Sequence, residues 1–398
     1  MSLTPSFGDK IAKQLVALYA KSEEQLLTFL AKTLAGERGH GANWMARMTL
    51  KIGPVRVRVQ KILDKLQGDS RAMVTEAIRE AWERGRQAAI DDIPGTTVPV
   101  YNIDGAAAEQ AEEVARKLEE TRPRAELAVT NRYREIIDEV TRDQKADSEA
   151  ARKRLVQAAL DKFAADGITA FVDKNGRRYD LVSYTEMAVR AAITEAEVES
   201  YTRQLVHAGI DLVIVSDVPQ ACTLCEVFEG KILSITGATR AAIWADPETG
   251  ETRRVPVFAS IPEAKARGLW HPGCRHVLSA WTPKDPFPPQ ADTPDPQGYR
   301  DSQRLRALER RVRKWKRVRA VATTREAELN ADRRIALAQR DIREHVARTG
   351  VRRQRDREQL HRGYSGTPDA IALDAERRAR ERKTVDELVD EIRQERGE

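Results

Sequence analysis

Long apolar runs are missing from this sequence, and so are the residues that build one large core. No stretch stays apolar for the length a bilayer requires, and Asp9 and Lys10 interrupt the start before a secretory pattern can form. The expectation is a chain made and kept in cytoplasm, with no membrane partner. Aromatic residues make up 5% of the 398 positions, too few for a single aromatic-rich core. Charged residues make up 33% and the mean hydropathy is -0.57, which suits long amphipathic helices rich in Ala, Arg, Glu and Leu. Cysteine is scarce as well. The three present are expected to be reduced or metal-bound in a reducing compartment. Nor is there a large excess of one charge: 68 Lys and Arg face 62 Asp and Glu, for a net +6 and a pI near 9.1. That balance permits contact with DNA or another acidic surface without requiring it, and a solvated surface of mixed sign is the reading it favours.

What is present divides into six stretches. Residues 1–95 read as helical: Ile11, Leu15, Leu18 and Tyr19 recur at helical spacing, as do Leu26, Leu27, Phe29, Leu30 and Leu34. Gly36 and Gly39 stop that run, and a further helix is expected from Asp69 to Asp92 before Pro94 and Gly95. Residues 96–166 read as long charged helices that pack either on neighbouring subunits or within the chain. In 167–282 the texture changes to compact α+β material. Ile168 to Val172 and Tyr179 to Val182 flank Asn175-Gly176, a strong hairpin signal, and Ser183 with Glu186 suggests a capping box opening a helix to about His207. Leu212 to Val215 is a buried-strand run, and Asp246-Pro247-Glu248-Thr249-Gly250 marks a further hairpin turn. Residues 283–298 form a Pro-rich linker, 299–362 basic helices, and 363–398 a charged tail. The fold class expected is mainly α, with long helices on both sides of a small α+β central domain clasped by metal.

All three cysteines share one pattern: Cys222-x-x-Cys225, then His271-x-x-Cys274, with His276 two residues on. The first pair places two thiolates on one turn, and the second can supply a sulfur and a nitrogen. Zinc accepts this mixed set and acts structurally when all four corners are protein ligands. The pairs lie 46 positions apart, so the metal would close a long loop that lacks a large core of its own. A reduced cluster without metal, or a disulfide leaving one thiol over, remain open readings. Cys274-x-His276 is a tight spacing for two corners of one site. His276 and Arg275 are therefore expected to fix the turn by hydrogen bonding, with His276 the alternative fourth ligand. A catalytic reading finds little support. There is no His-x-Glu before the cysteine pair, no His-Glu-x-x-His, no phosphate-cradling Gly-x-x-x-x-Gly-Lys and no Gly-x-Ser-x-Gly elbow.

Residues 167–190, GITAFVDKNGRRYDLVSYTEMAVR, are followed by DLVIVSDVPQACTLCEVFEGKILSITG and GLWHPGCRHVLSAWTP. This ordered set resembles the phage minor capsid protein 2 family and, less closely, minor head proteins related to phage Mu protein F. The basic YRDSQRLRALERRVRKWK segment resembles the next stretch of that family's chains. The match runs over about 165–350, is weaker over 105–165, and gives nothing before 95 or after Gly363. The resemblance implies a non-enzymatic structural protein of a tailed-phage head, close to the portal vertex and assembled in host cytoplasm. Its implied partners are the portal and major capsid proteins, and it has no small-molecule substrate.

Two other functions compete with that one. A zinc-containing nucleic-acid-binding protein is suggested by the basic helix from Arg304 to Arg319, with Trp315 available to stack on a base. A metal-dependent hydrolase or toxin would need an open ligand position and a general base, and no base stands beside the cluster. On the basic helix, Leu305, Leu308, Val312 and Trp315 fall on one stripe and are expected to dock on another helix of this chain or of a head protein. Arg310, Arg313 and Arg317 around it are the candidates for contact with packaged DNA.

Overall fold

The computed structural model describes residues 3, 7–36, 42–93, 98–142, 148–166, 171–172, 178–179, 181–287 and 295–360. The first six helices are α1 (Phe7–Ala35), α2 (Ala42–Leu50), α3 (Ile52–Asp92), α4 (Asp104–Glu119), α5 (Arg122–Thr141) and α6 (Glu149–Asp166). They share one apolar core with the first half of α7 (Leu181–His207), and Trp44, Trp82, Tyr133 and Phe163 are among its largest fully buried side chains. The charged helices α4 to α6 therefore spend their apolar stripes inside the chain. Only scattered residues such as Leu127 stay exposed.

Helix α3 differs from the sequence reading. It starts at Ile52 rather than Asp69 and runs for 41 residues, roughly 60 Å at the α-helical rise. Gly68 does not stop it. A helical glycine costs only about 1 kcal/mol against alanine, and the stripe Val55, Val59, Ile62, Leu63, Leu66, Val74, Ala77, Ile78, Ala81 and Trp82 is buried along the whole length. Pro54 is tolerated because it lies in the first turn, where the backbone N–H has no helical partner.

Helices α3 and α7 cross very closely at Gly85. A Cβ there would come within 2.3 Å of the Glu197 carbonyl oxygen, so only glycine admits this approach. The Ser200 hydroxyl seals the crossing by donating to the Trp82 carbonyl at 2.5 Å. Helix α7 already begins at Leu181, so Ser183 lies inside its first turn and not at a cap. Glu186 instead pairs with Arg190 at 3.0 Å. A capping box does form, but at Ser260 and Glu263, at the start of α8 (Ile261–Ala266).

The second half of α7 turns to a different core. Val198, Tyr201 and Leu205 pack with Val213, Val215, Phe228, Leu233 and Leu278. The sheet there has the order β7 (Ala259–Ser260), β4 (Ile232–Ser234), β3 (Leu212–Val215), β8 (Leu278–Ala280). β3 is antiparallel to both neighbours, with Val213 opposite Leu233 and Ala280, and β4 runs parallel to β7. β5 (Ala241–Ala245) and β6 (Thr252–Pro256) form the hairpin expected around Asp246–Gly250, and Trp244 and Val255 anchor it to Trp281. Short strands β1 (Phe171–Val172) and β2 (Arg178–Tyr179) pair antiparallel; the Asn175-Gly176 turn between them lies outside the described residues. Helices α9 (Pro296–Ala320) and α10 (Arg325–Thr349) complete the helical part, the first capped by Asp295 on the Gly298 N–H at 2.7 Å. Residues 288–294 of the Pro-rich linker and the whole charged tail also lie outside the described residues. The chain is thus mainly helical with a small sheet region, and the Cys/His cluster stands beside that sheet.

Candidate metal centre

Two turns leave the same end of the sheet. β3 pairs with β8, Ile214 opposite Ser279 and Val215 opposite Leu278, so the chain after β3 and the chain before β8 are neighbours. The Ser216 N–H donates to the Val277 carbonyl at 2.9 Å, and the Val277 N–H returns to the Ser216 hydroxyl at 3.0 Å. On the first turn the N–H groups of Cys225 and Glu226 donate to the Cys222 carbonyl at 2.9 and 3.0 Å, which brings both thiols to one side. On the second, the Cys274 N–H donates to the His271 carbonyl at 2.9 Å, with Gly273 in the left-handed region at φ 91°.

These turns bring all five predicted side chains together. His271 Nε2 lies 2.9 Å from Cys222 Sγ, Cys225 Sγ 3.6 Å from Cys274 Sγ, and His276 Nδ1 3.3 Å from Cys274 Sγ. They form two overlapping triads, Cys222–Cys225–His271 and Cys225–Cys274–His276, each with its ligand atoms within 4.8 Å of one another. A tetrahedral zinc holds two sulfurs roughly 3.7 Å apart, a separation that the Cys225–Cys274 pair already has. The two rings are each oriented by a further partner. His271 Nδ1 meets the Pro272 carbonyl at 3.1 Å, and His276 Nε2 meets the Glu229 carboxylate at 2.8 Å. A second nitrogen held by an oxygen is how metal-binding histidines are fixed in tautomer and direction. The donor set, its burial and its oriented rings all fit a zinc ion.

Glu229 is the residue that the sequence reading missed. It is 5% exposed, also accepts the Val218 N–H at 2.9 Å, and has no sequence signal beyond standing four positions after Cys225. Burial opposes charge on His276. Its contacts with Cys274 and Glu229 outweigh burial and raise its pKa above the ordinary value. Contact with Cys274, together with burial, pushes the Cys225 thiol up. The Cys274 thiol is drawn down, first by Cys225 and then by His276, against the effect of burial. A metal ion binding here would displace the thiol protons. Arg275 stands exposed at the rim between Cys274 and His276.

The remaining residues singled out in the sequence lie on α9. Leu305, Leu308 and Val312 are buried with Ala338 and Ile342 of α10 and with Val351, so their docking helix belongs to the same chain. Trp315 is half-buried against the main helical core, with the Arg334 guanidinium 5.5 Å over its ring. Arg313 donates to the Arg357 carbonyl and Arg317 to the Ala164 carbonyl, the latter at 2.9 Å. Arg310 is exposed and makes no hydrogen bond or ion pair among the described residues. No helix among the described residues is long and apolar enough to cross a membrane.

No curated protein and no solved structure matches the chain. The profile of the family described as phage minor capsid protein 2 matches residues 3–347, from the first helix almost to the end of α10. The match covers the Cys/His cluster, both long helical regions and the sheet between them, and the chain belongs to the phage minor capsid protein 2 family.

Proposed function

We propose that this structural phage protein sits in the virion head near the portal vertex, is assembled there in host cytoplasm, and acts through contacts with the portal and major capsid proteins without catalysing a reaction. The observation that carries this reading is the family match over residues 3–347, which leaves little of the helical scaffold outside it. In the same reading the Cys/His cluster holds a structural zinc through Cys222, Cys225, Cys274 and His271. His271 faces only a backbone carbonyl on Nδ1, which fixes that nitrogen as a donor and leaves Nε2 for the metal. His276, held through Nε2 by the buried Glu229 carboxylate, is the alternative fourth ligand. Four protein ligands leave zinc no open position, so its part is to fasten the two turns and to hold the sheet end closed.

The test is composition and position. Purified particles should contain this chain in few copies, and cross-linking should join it to the portal protein. Its absence from particles, or cross-links only to tail proteins, would sink the reading. A nucleic-acid role remains the second reading, because Arg310 is exposed without an acidic partner among the described residues. It predicts binding to duplex DNA that weakens steeply with salt.

A further inference from the structure

Helix α9 has a second face. Leu305, Leu308 and Val312 dock on α10. Ala307, Arg310, Lys314, Arg317 and Val321 recur at steps of three and four on another stripe, and all five line a cavity of about 370 Å³. Helix α1 supplies buried Ala20 and Leu27 together with Glu23 and Glu24, and Val182 at the start of α7 adds a further apolar side chain. The lining is therefore apolar, with cations on the α9 side and carboxylates on the α1 side. Two of the α9 cations carry no acid. Arg310 is exposed and makes no hydrogen bond or ion pair among the described residues. Lys314 lies 5.6 Å over the Trp315 ring and has no ion pair among them. A volume in this range, with an apolar lining and a few convergent charges, is the form a docking site takes.

Leu360 also lines the cavity, two residues after the 3-10 helix Arg355–Glu358. The sequence continues from there to Glu398, and its end carries a matching pattern. Thr384 and Glu387 have the spacing of a capping box. Val385, Leu388, Val389 and Ile392 follow at helical steps. At that spacing Glu391 and Glu395 fall to one side of the apolar stripe, and Arg393 and Arg396 fall toward the other. Residues 384–398 hold six acids and two arginines, so their net charge is opposite to that of the α9 wall. Residues 361–383, between the cavity and this segment, reach on the order of 75 Å when extended. The segment can therefore return to the cavity from which its own chain departs.

We propose that residues 384–398 of this chain dock in the cavity as an amphipathic helix. Val385, Leu388, Val389 and Ile392 enter the apolar lining, Glu391 and Glu395 meet Arg310 and Lys314, and Arg393 and Arg396 lie on the α1 side. An apolar stripe laid into a groove, with charges matched along its edges, is a general mode of helix recognition. Tethering sets the choice of occupant. A segment joined to its site by a flexible linker works at a local concentration on the order of millimolar. A helix of another protein would have to bind more tightly than the tethered one to displace it. The docking requires neither a bound metal nor a particular place in the head.

Hydrogen exchange on the full-length protein tests this. Amides from Val385 to Ile392 should exchange about tenfold more slowly, or slower still, than in an unstructured chain. Leu388→Asp with Ile392→Asp should abolish that protection. So should Ala320→Trp, which fills the cavity from an exposed position and leaves the packed face of α9 intact. Arg310→Glu with Lys314→Glu should weaken it, and adding Glu391→Lys with Glu395→Lys should restore it. Wild-type amides that exchange at the unstructured rate would overturn the proposal. Protection left undiminished by any one of the three variants would place the segment elsewhere and overturn it too. A charge exchange that restores nothing would break the pairing with α9. Protection that is lost on dilution would make the occupant a second copy of the chain rather than its own end.

Discussion

Glu197 is a carboxyl at a helix crossing with little to hold its charge. It is 3% exposed, and Arg84 Nε approaches only to 3.6 Å. Burial raises its pKa to about 7, against a smaller lowering by Arg84. The folded state thus binds this proton more tightly than the unfolded chain does. The contribution is fully present below the unfolded value near 4.5 and is lost as pH rises through about 7. Glu197→Gln should therefore match wild type near pH 5 and exceed it at pH 8, by on the order of 1–3 kcal/mol. Denaturant unfolding at the two pH values measures the difference, and an equal effect at both would refute the burial account. The Cys/His cluster carries a second test at this scale. Protein purified reduced and without chelator should hold about one zinc per chain. His271→Ala should lose it and His276→Ala should retain it, as read by metal analysis; the opposite result would exchange their roles.

At the scale of elements, the sequence revealed what local chemistry dictates and hid what packing decides. The Leu212–Val215 strand, the hairpin around Asp246–Gly250 and the end of α7 before Gly209 were legible because turn residues and alternation are local signals. The continuous helix α3 was not, because the cost of Gly68 is repaid by partners remote in sequence, α1 and α7. The gathering of the cysteines with His271 and His276 was legible from spacing alone, whereas Glu229 entered through tertiary folding. Gly85 belongs to the hidden class too: nothing nearby in sequence reveals that the Glu197 carbonyl presses on it. Gly85→Ala should force α3 and α7 apart and destabilise by about 1–3 kcal/mol. Gly68→Ala, whose new methyl meets nothing within 4 Å, should stabilise by about 0.5–1 kcal/mol. Thermal melts of both variants check the pair, and equal shifts would contradict the close crossing.

Across the whole molecule, α7 joins two cores that should depend on the proposed zinc to different degrees. Its residues from Leu181 to Ala196 lie in the helical core, and Val198, Tyr201 and Leu205 lie in the sheet core. Tyr201 ties three elements at the junction: its hydroxyl donates to Asp92 at the end of α3 at 2.6 Å and accepts the Ala280 N–H of β8 at 2.6 Å. The helical core has no Cys/His cluster of this kind among the described residues, and apolar packing with a few buried hydrogen bonds holds it. The sheet core is small and hangs on the two turns that carry the cysteines. Removing zinc should therefore open the molecule in a graded way. Hydrogen exchange after chelation, or in Cys225→Ser, should show lost protection at Leu212–Val215, Ile232–Ser234 and Leu278–Ala280. Partial loss should extend into α7 beyond Ala196 and to the end of α3, as the Tyr201 bonds break. Amides of α3 from Val55 to Ile78 should remain protected, because their partners lie in the other core. Loss of protection everywhere at once would show that the two cores fold as one cooperative unit, and no loss at the sheet would show that the cluster does not fasten it.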